Sequence, residues 1–358
     1  MYLVIVMPAA MIALKASSVP VYMSFITQSQ YTTSTKLNEE YSQAIFTIII
    51  LVSIVTLLIS LLGLYQAHLV YGILLAFVVE KLCDEVSRIF EYQKKYLNWF
   101  WMQILRNGWY ILPLLVSYFF DWYYFCFFVG AVLSVLLVGI SFIYLVGFYG
   151  LFSLSALVLI YKKFLYVFGG AVGGLFQQGP RLIVAELFSD WAHVYSICAQ
   201  ISQSFAIVFN VKFQIPYRAV IAKKTRLFYS RIRPFTDKIM NIGVGVSGSV
   251  LVIYLGLSDI YSEGFDSWAL ISLLAVLLPI EAVVFSVITS QFGYVLWILN
   301  PKRAFMLYIF SLLLFSGFIS FIVFAEVGLM VFHVPIFMIG FYYILNLGFR
   351  IFINARFC

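Results

Sequence analysis

Of the 358 residues, 64% are hydrophobic and only 10% charged, and the mean hydropathy is +1.03. Soluble domains carry about a quarter charged residues, so this composition excludes an ordinary water-soluble protein. The 22 Lys and Arg outnumber the 15 Asp and Glu, giving +7. On so apolar a chain that excess sets membrane orientation rather than marking nucleic-acid binding, because basic loops stay on the inner side.

In chain order, residues 1–14 are apolar, end at Lys15 and follow no basic residue. They read as a retained segment rather than a cleaved leader. Insertion during synthesis then favours a bacterial plasma membrane or an organellar, mitochondrial inner membrane. The polar segment 16–43 is expected outside. Spanning the hydrocarbon takes about 20 apolar residues, and 44–66 make the first such stretch. Residues 81–108 mix charges with Phe90, Tyr92, Trp99 and Trp101, which predicts an amphipathic segment on the inner surface. Residues 109–161 hold one charge and room for two helices, with a turn expected at Gly130 to Ser134.

Spans at 164–186 and 191–211 lead into the segment 212–238, read as a basic internal loop. It holds Lys212, Arg218, Lys223, Lys224, Arg226, Arg231, Arg233 and Lys238 against Asp237. Residues 239–258 cross to an acidic turn at Asp259, Glu263 and Asp266. The stretch 268–299 returns to Lys302 and Arg303, 304–325 crosses to Glu326, and 327–349 comes back to Arg350 and Arg356. Basic and acidic ends alternate at each step, as orientation by positive charge requires. The expected fold is therefore an all-α polytopic integral membrane protein. About nine transmembrane helices would form one helical bundle, a single membrane domain over 1–358.

Function must then be sought where polar groups lie at depth, because a charge at the bilayer centre costs about 2.5–3.5 kcal/mol and faces a cavity or a partner. Glu281 lies well inside 268–299, two residues after Pro279, with Ser286, Thr289, Ser290 and Gln291 following. Proline frees a backbone carbonyl, and interrupted helices accompany ion and substrate sites in transporters. Arg181 and Glu186 end a segment whose glycines at 169/173 and 170/174 suit close helix packing. The run Gln177-Gln178-Gly179-Pro180 beside Arg181 also suits an unwound element lining a cavity. Asp121 interrupts an aromatic run.

These residues predict a transport or permeation protein whose polar pathway runs between 164–186 and 268–299. Glu281 would be its cation or proton site, and Arg181 and Glu186 its gate or pairing residues. Expected partners are the lipid bilayer, a small ion or solute and other membrane subunits. No nucleic acid is expected. His68, His193 and His333 lie far apart, and the cysteines at 83, 126, 198 and 358 form no CxxC pair, so neither a metal nor a cofactor is implied.

Two motifs resemble known families. Gly245-Val246-Ser247-Gly248 matches the GxSG pattern of rhomboid intramembrane proteases, which would imply Ser247 as nucleophile with His333 as base. The hairpin 224–299, about a fifth of the chain, resembles subunit a of rotary ATP synthases. That likeness implies a proton-channel subunit of a larger complex, with Arg231 or Arg233 facing the rotor and Glu281 and Gln291 lining half-channels.

Overall fold

The computed structural model describes residues 6–21, 35–63, 66–93, 95–109, 123–162, 164–209, 225–258, 267–298, 301–324 and 330–357. Among them every regular element is helical. Among the described residues, four helices are long and apolar enough to cross a membrane: Glu39–Leu61, Phe125–Val146, Pro234–Leu255 and Trp268–Ile288. A fifth arises if two shorter helices that meet at 70°, Leu154–Lys162 and Leu165–Leu187, count as one broken span. The chain divides into two compact units, 1–178 and 179–358.

The first unit is built on α1 (Met7–Val21), α2 (Thr35–Leu61), α3 (Ala67–Tyr92), α4 (Tyr96–Gly108), α5 (Tyr123–Val146) and α6 (Leu154–Lys162). The first part of α7 (Phe164–Leu187) completes it. Helix α3 is its axis, with α1, α2, α4 and α5 packed around it. Tyr41, Phe77, Cys83, Val86, Phe127 and Phe142 fill the shared core. The outer faces of α2 and α5 stay apolar, with Leu58, Leu61, Leu137, Ile140 and Tyr144 exposed. Such faces suit hydrocarbon as solvent, and backbone groups satisfied within each helix suit it equally.

Three expectations change here. The predicted turn at Gly130 to Ser134 is the middle of α5. The chain turns later, at Gly147 and Gly150, whose φ of +98° and +121° L side chains rarely adopt. The segment 81–108, predicted as one surface helix, is split between α3 and α4, and its first half is core. Only α4 keeps an amphipathic surface character, with Tyr96, Leu97, Phe100, Trp101 and Ile104 outward and Trp99 inward. The Gly-rich segment is no unwound element, because α7 runs unbroken from Phe164 through Pro180. Its glycines serve packing: a Cβ on Gly170 would stand 2.3 Å from the Lys15 carbonyl oxygen, and one on Gly174 2.9 Å from the Ile12 Cα. Bare backbone thus lets α7 approach α1.

The second unit holds the end of α7, a 3-10 turn at Ser189–Trp191, α8 (Ala192–Phe209), α9 (Thr225–Ser258), α10 (Ser267–Ile298), α11 (Pro301–Phe324) and α12 (His333–Phe357). Here α10 is central and packs on α8, α9, α11 and α12. Half of its most apolar window is buried, against 22–28% for the other three spans. The basic segment expected as a loop is helix from Thr225 onward, so Arg226, Arg231, Arg233 and Lys238 belong to α9. Asp237 of that helix pairs with Arg350 of α12.

Candidate functional site

In the second unit, α10 passes unbroken through Pro279 and carries Glu281 into the interior, where 8% of its surface stays accessible. Proline at 279 has no N–H for the Ala275 carbonyl four residues earlier. Arg181 of α7, also buried, donates from Nη2 to the Gln200 side-chain oxygen at 3.1 Å and places its charge beside Glu281. From α8, the Tyr195 hydroxyl lies against the Glu281 carboxyl without closing a well-formed hydrogen bond. Tyr342 of α12 is a further neighbour of the carboxyl. One turn on, both amide atoms of Asn346 are buried without a hydrogen-bond partner, and so is the Ser196 hydroxyl. Buried polar atoms in folded proteins are normally satisfied by protein or water, so this core holds unfilled polar capacity.

The structure places Arg181 beside Glu281 and adds Gln200 and Tyr195. It does not bring in Glu186, which is exposed at the end of α7, five residues and well over a turn from Arg181. Gln291 is part of α10, and Arg231 and Arg233 part of α9, but their side chains lie outside the described residues, as does all of Asp121. Ser247 and His333 spend their polar atoms locally. The Ser247 hydroxyl donates to the Gly243 carbonyl at 2.8 Å, and His333 Nδ1 accepts the Met330 N–H at 2.9 Å. No group of three or more His, Cys, Asp or Glu suited to a metal occurs among the described residues.

The first unit holds a second ionic cluster that the sequence reading did not single out. Glu80, Lys81, Asp84, Glu85 and Arg88 recur at three- and four-residue spacing, so one stripe of α3 carries them all. That stripe turns toward its neighbours. Lys81 and Glu85, both fully buried, pair at 2.6 Å. Glu85 also accepts the Tyr41 hydroxyl of α2 at 2.6 Å. Asp84 pairs with Arg88 at 2.6 Å and with Arg106 of α4 at 3.1 Å, and Arg106 reaches Glu80 at 2.7 Å. Trp109 donates to Glu80 at 3.3 Å, and Ser18 of α1 donates to Asp84 at 3.1 Å.

Three carboxylates thus face three cations in one network drawn from four helices. Burial is the main influence on Glu80 and Lys81. It pushes the Glu80 carboxyl above the usual range against the pull of Arg106, and holds the Lys81 ammonium below the usual lysine range against the pull of Glu85. These charges also keep α3 out of the set of spans. The signal lay in the spacing: a stripe of alternating sign directly after the apolar run 69–79 is a paired face, not a solvated one. No protein-family model, curated protein or solved structure matches the chain.

Proposed function

We propose that the protein is a membrane transport or permeation protein. Its polar pathway passes between α7 and α10 in the second unit, and Glu281 is its cation or proton site. The nine apolar segments of the sequence form its spans, in a bacterial plasma membrane or an organellar inner membrane. The observation that carries this reading is the convergence of Glu281, Arg181 and Tyr195 from three different helices on the core of that unit. A carboxyl at membrane depth is expensive, and a scaffold could use an apolar side chain at no loss of stability. The unfilled atoms of Tyr195, Ser196 and Asn346 add polar capacity that a passing ion and its water would occupy.

The test is flux through the full chain in liposomes. Proton entry driven by a potassium diffusion potential is read with internal pyranine, and sodium and potassium entry with their indicators. Wild type should conduct one of these. Glu281→Gln should abolish that flux while the protein still inserts and purifies as one species, and Glu281→Asp should retain part of it. Equal flux through Glu281→Gln removes Glu281 as the site. Absence of all three fluxes from wild type, with fixed partner chains on gentle purification, would favour a non-catalytic subunit of a larger complex.

A further inference from the structure

Three helices of the second unit meet closely at Gly243 of α9. A Cβ there would stand 2.8 Å from Val284 Cγ2 of α10 and 3.6 Å from Ile339 Cγ2 of α12. Further along, Asp237 of α9 pairs with Arg350 of α12. Falling numbers on α9 thus match rising numbers on α12, so the two helices are antiparallel. Seven residues make two turns and return a helix to the same face. They lead from Gly243 back to Thr236 and from Ile339 on to Asn346. Thr236 and Asn346 therefore stand at one level between α9 and α12, each 1% exposed.

Polar atoms collect at this level without protein partners. Thr236 Oγ1, both amide atoms of Asn346 and Arg350 Nε are buried and make no hydrogen bond, even to one another. Together they offer donors and acceptors, which is the lining a buried water needs. The series also reaches the Glu281 site. On α12, Tyr342, Asn346 and Arg350 follow at four-residue spacing; Tyr342 neighbours the Glu281 carboxyl, and Arg350 and Asp237 are each 25% exposed. In the other direction the same stripe continues through Met338 and Val334, both apolar and buried. Polarity therefore leads from Glu281 toward one end of α12 only.

We propose that Thr236, Asn346 and Arg350 line a file of water running from Glu281 to the basic end of α9 and α12, with the Asp237–Arg350 pair at its mouth. From Tyr342 to Arg350 the helix rises about 12 Å, the length of about four hydrogen-bonded waters. Water bridges the amide of Asn346 to the Thr236 hydroxyl and to Arg350 Nε, and a small cation travels the same file. This path rests on the reading of Glu281 as an ion site and gives that site access from one side.

The experiment measures silver-ion modification of single cysteines in the full chain in liposomes, with the four native cysteines replaced by alanine. After silver exposure the protein is unfolded in dodecyl sulfate, and the remaining thiol is counted with a maleimide. Asn346→Cys and Thr236→Cys should react about a hundredfold faster than Met338→Cys, the penalty for bringing a cation into a dry span. Should Asn346→Cys fail to fold, Thr236→Cys, which is close to it in size, carries the test. Rates no faster than that of Met338→Cys overturn the path. Asn346→Leu should also stop the flux that depends on Glu281, and undiminished flux through it overturns the path as well. A dry Asn346→Cys with flux still lost in Glu281→Gln removes the path and keeps the ion site. Fast modification in a chain that passes no ion keeps the water file and removes the ion site.

Discussion

Lys81 offers the sharpest energetic test of the first unit. Replacing it with Met keeps much of the side-chain volume but deletes the cation that faces Glu85 at 2.6 Å inside a fully buried site. Breaking one side of a buried pair costs about 3–5 kcal/mol, because the remaining charge is left uncompensated. Arg88 at 3.5 Å and the Tyr41 hydroxyl still hold Glu85, so the expected loss sits near the low end, about 3 kcal/mol. Lys81→Met/Glu85→Leu removes both charges together. What remains is the loss of the hydrogen bonds to Ser18 and Tyr41, each worth about 1 kcal/mol, and of the 3.5 Å pairing of Glu85 with Arg88, which keeps Asp84 at 2.6 Å. The double variant should therefore be more stable than Lys81→Met alone. Unfolding by dodecyl sulfate in mixed micelles, followed by tryptophan fluorescence, gives the four free energies of wild type, Lys81→Met, Glu85→Leu and the double variant. A single-variant cost below about 1 kcal/mol, or a double variant worse than the sum of its singles, would refute the buried-pair argument.

Two further outcomes follow from packing. Gly170→Ala should destabilise the first unit by about 1–3 kcal/mol, since its Cβ would meet backbone at 2.3 Å. Gly173→Ala, on the same helix with nothing within 4 Å, should be neutral or slightly stabilising. Thermal unfolding of the two variants side by side decides it, and equal effects would sink the close α1–α7 contact. Trp101 is 60% exposed on α4 while Trp109 is 4% exposed. In single-tryptophan variants reconstituted with brominated lipid, Trp101 emission should be strongly quenched and Trp109 emission nearly unaffected; equal quenching would remove α4 from the lipid interface.

Residue by residue, the sequence was informative wherever the property is local. Hydropathy marked the apolar segments, and Glu281 and Arg181 stood out because a charge is conspicuous among leucines and phenylalanines. Helix boundaries were harder. Gly130 looked like a turn, yet an isolated glycine in a long apolar run is tolerated in a helix at about 1 kcal/mol. The positive-φ glycines at 147 and 150 look no different in the sequence. The basic run 212–238 resembles a loop because dense charge suggests solvation, although arginine and lysine are good helix formers and Arg226 to Lys238 form the first turns of α9.

Composition and periodicity by themselves determined that this chain is helical and suited to hydrocarbon, because both follow from side-chain chemistry summed along one dimension. Only the tertiary structure decided which charges are paired. Glu80, Lys81 and Glu85 look like a wetted surface until α1, α2 and α4 bring Ser18, Tyr41 and Arg106 against them. Glu186 looks like a partner for Arg181 until the helix turns it outward and α8 supplies Gln200 instead. The energy of a charge is set by what lies within a few ångströms of it, and neighbours across helices are separated by tens of residues in the chain.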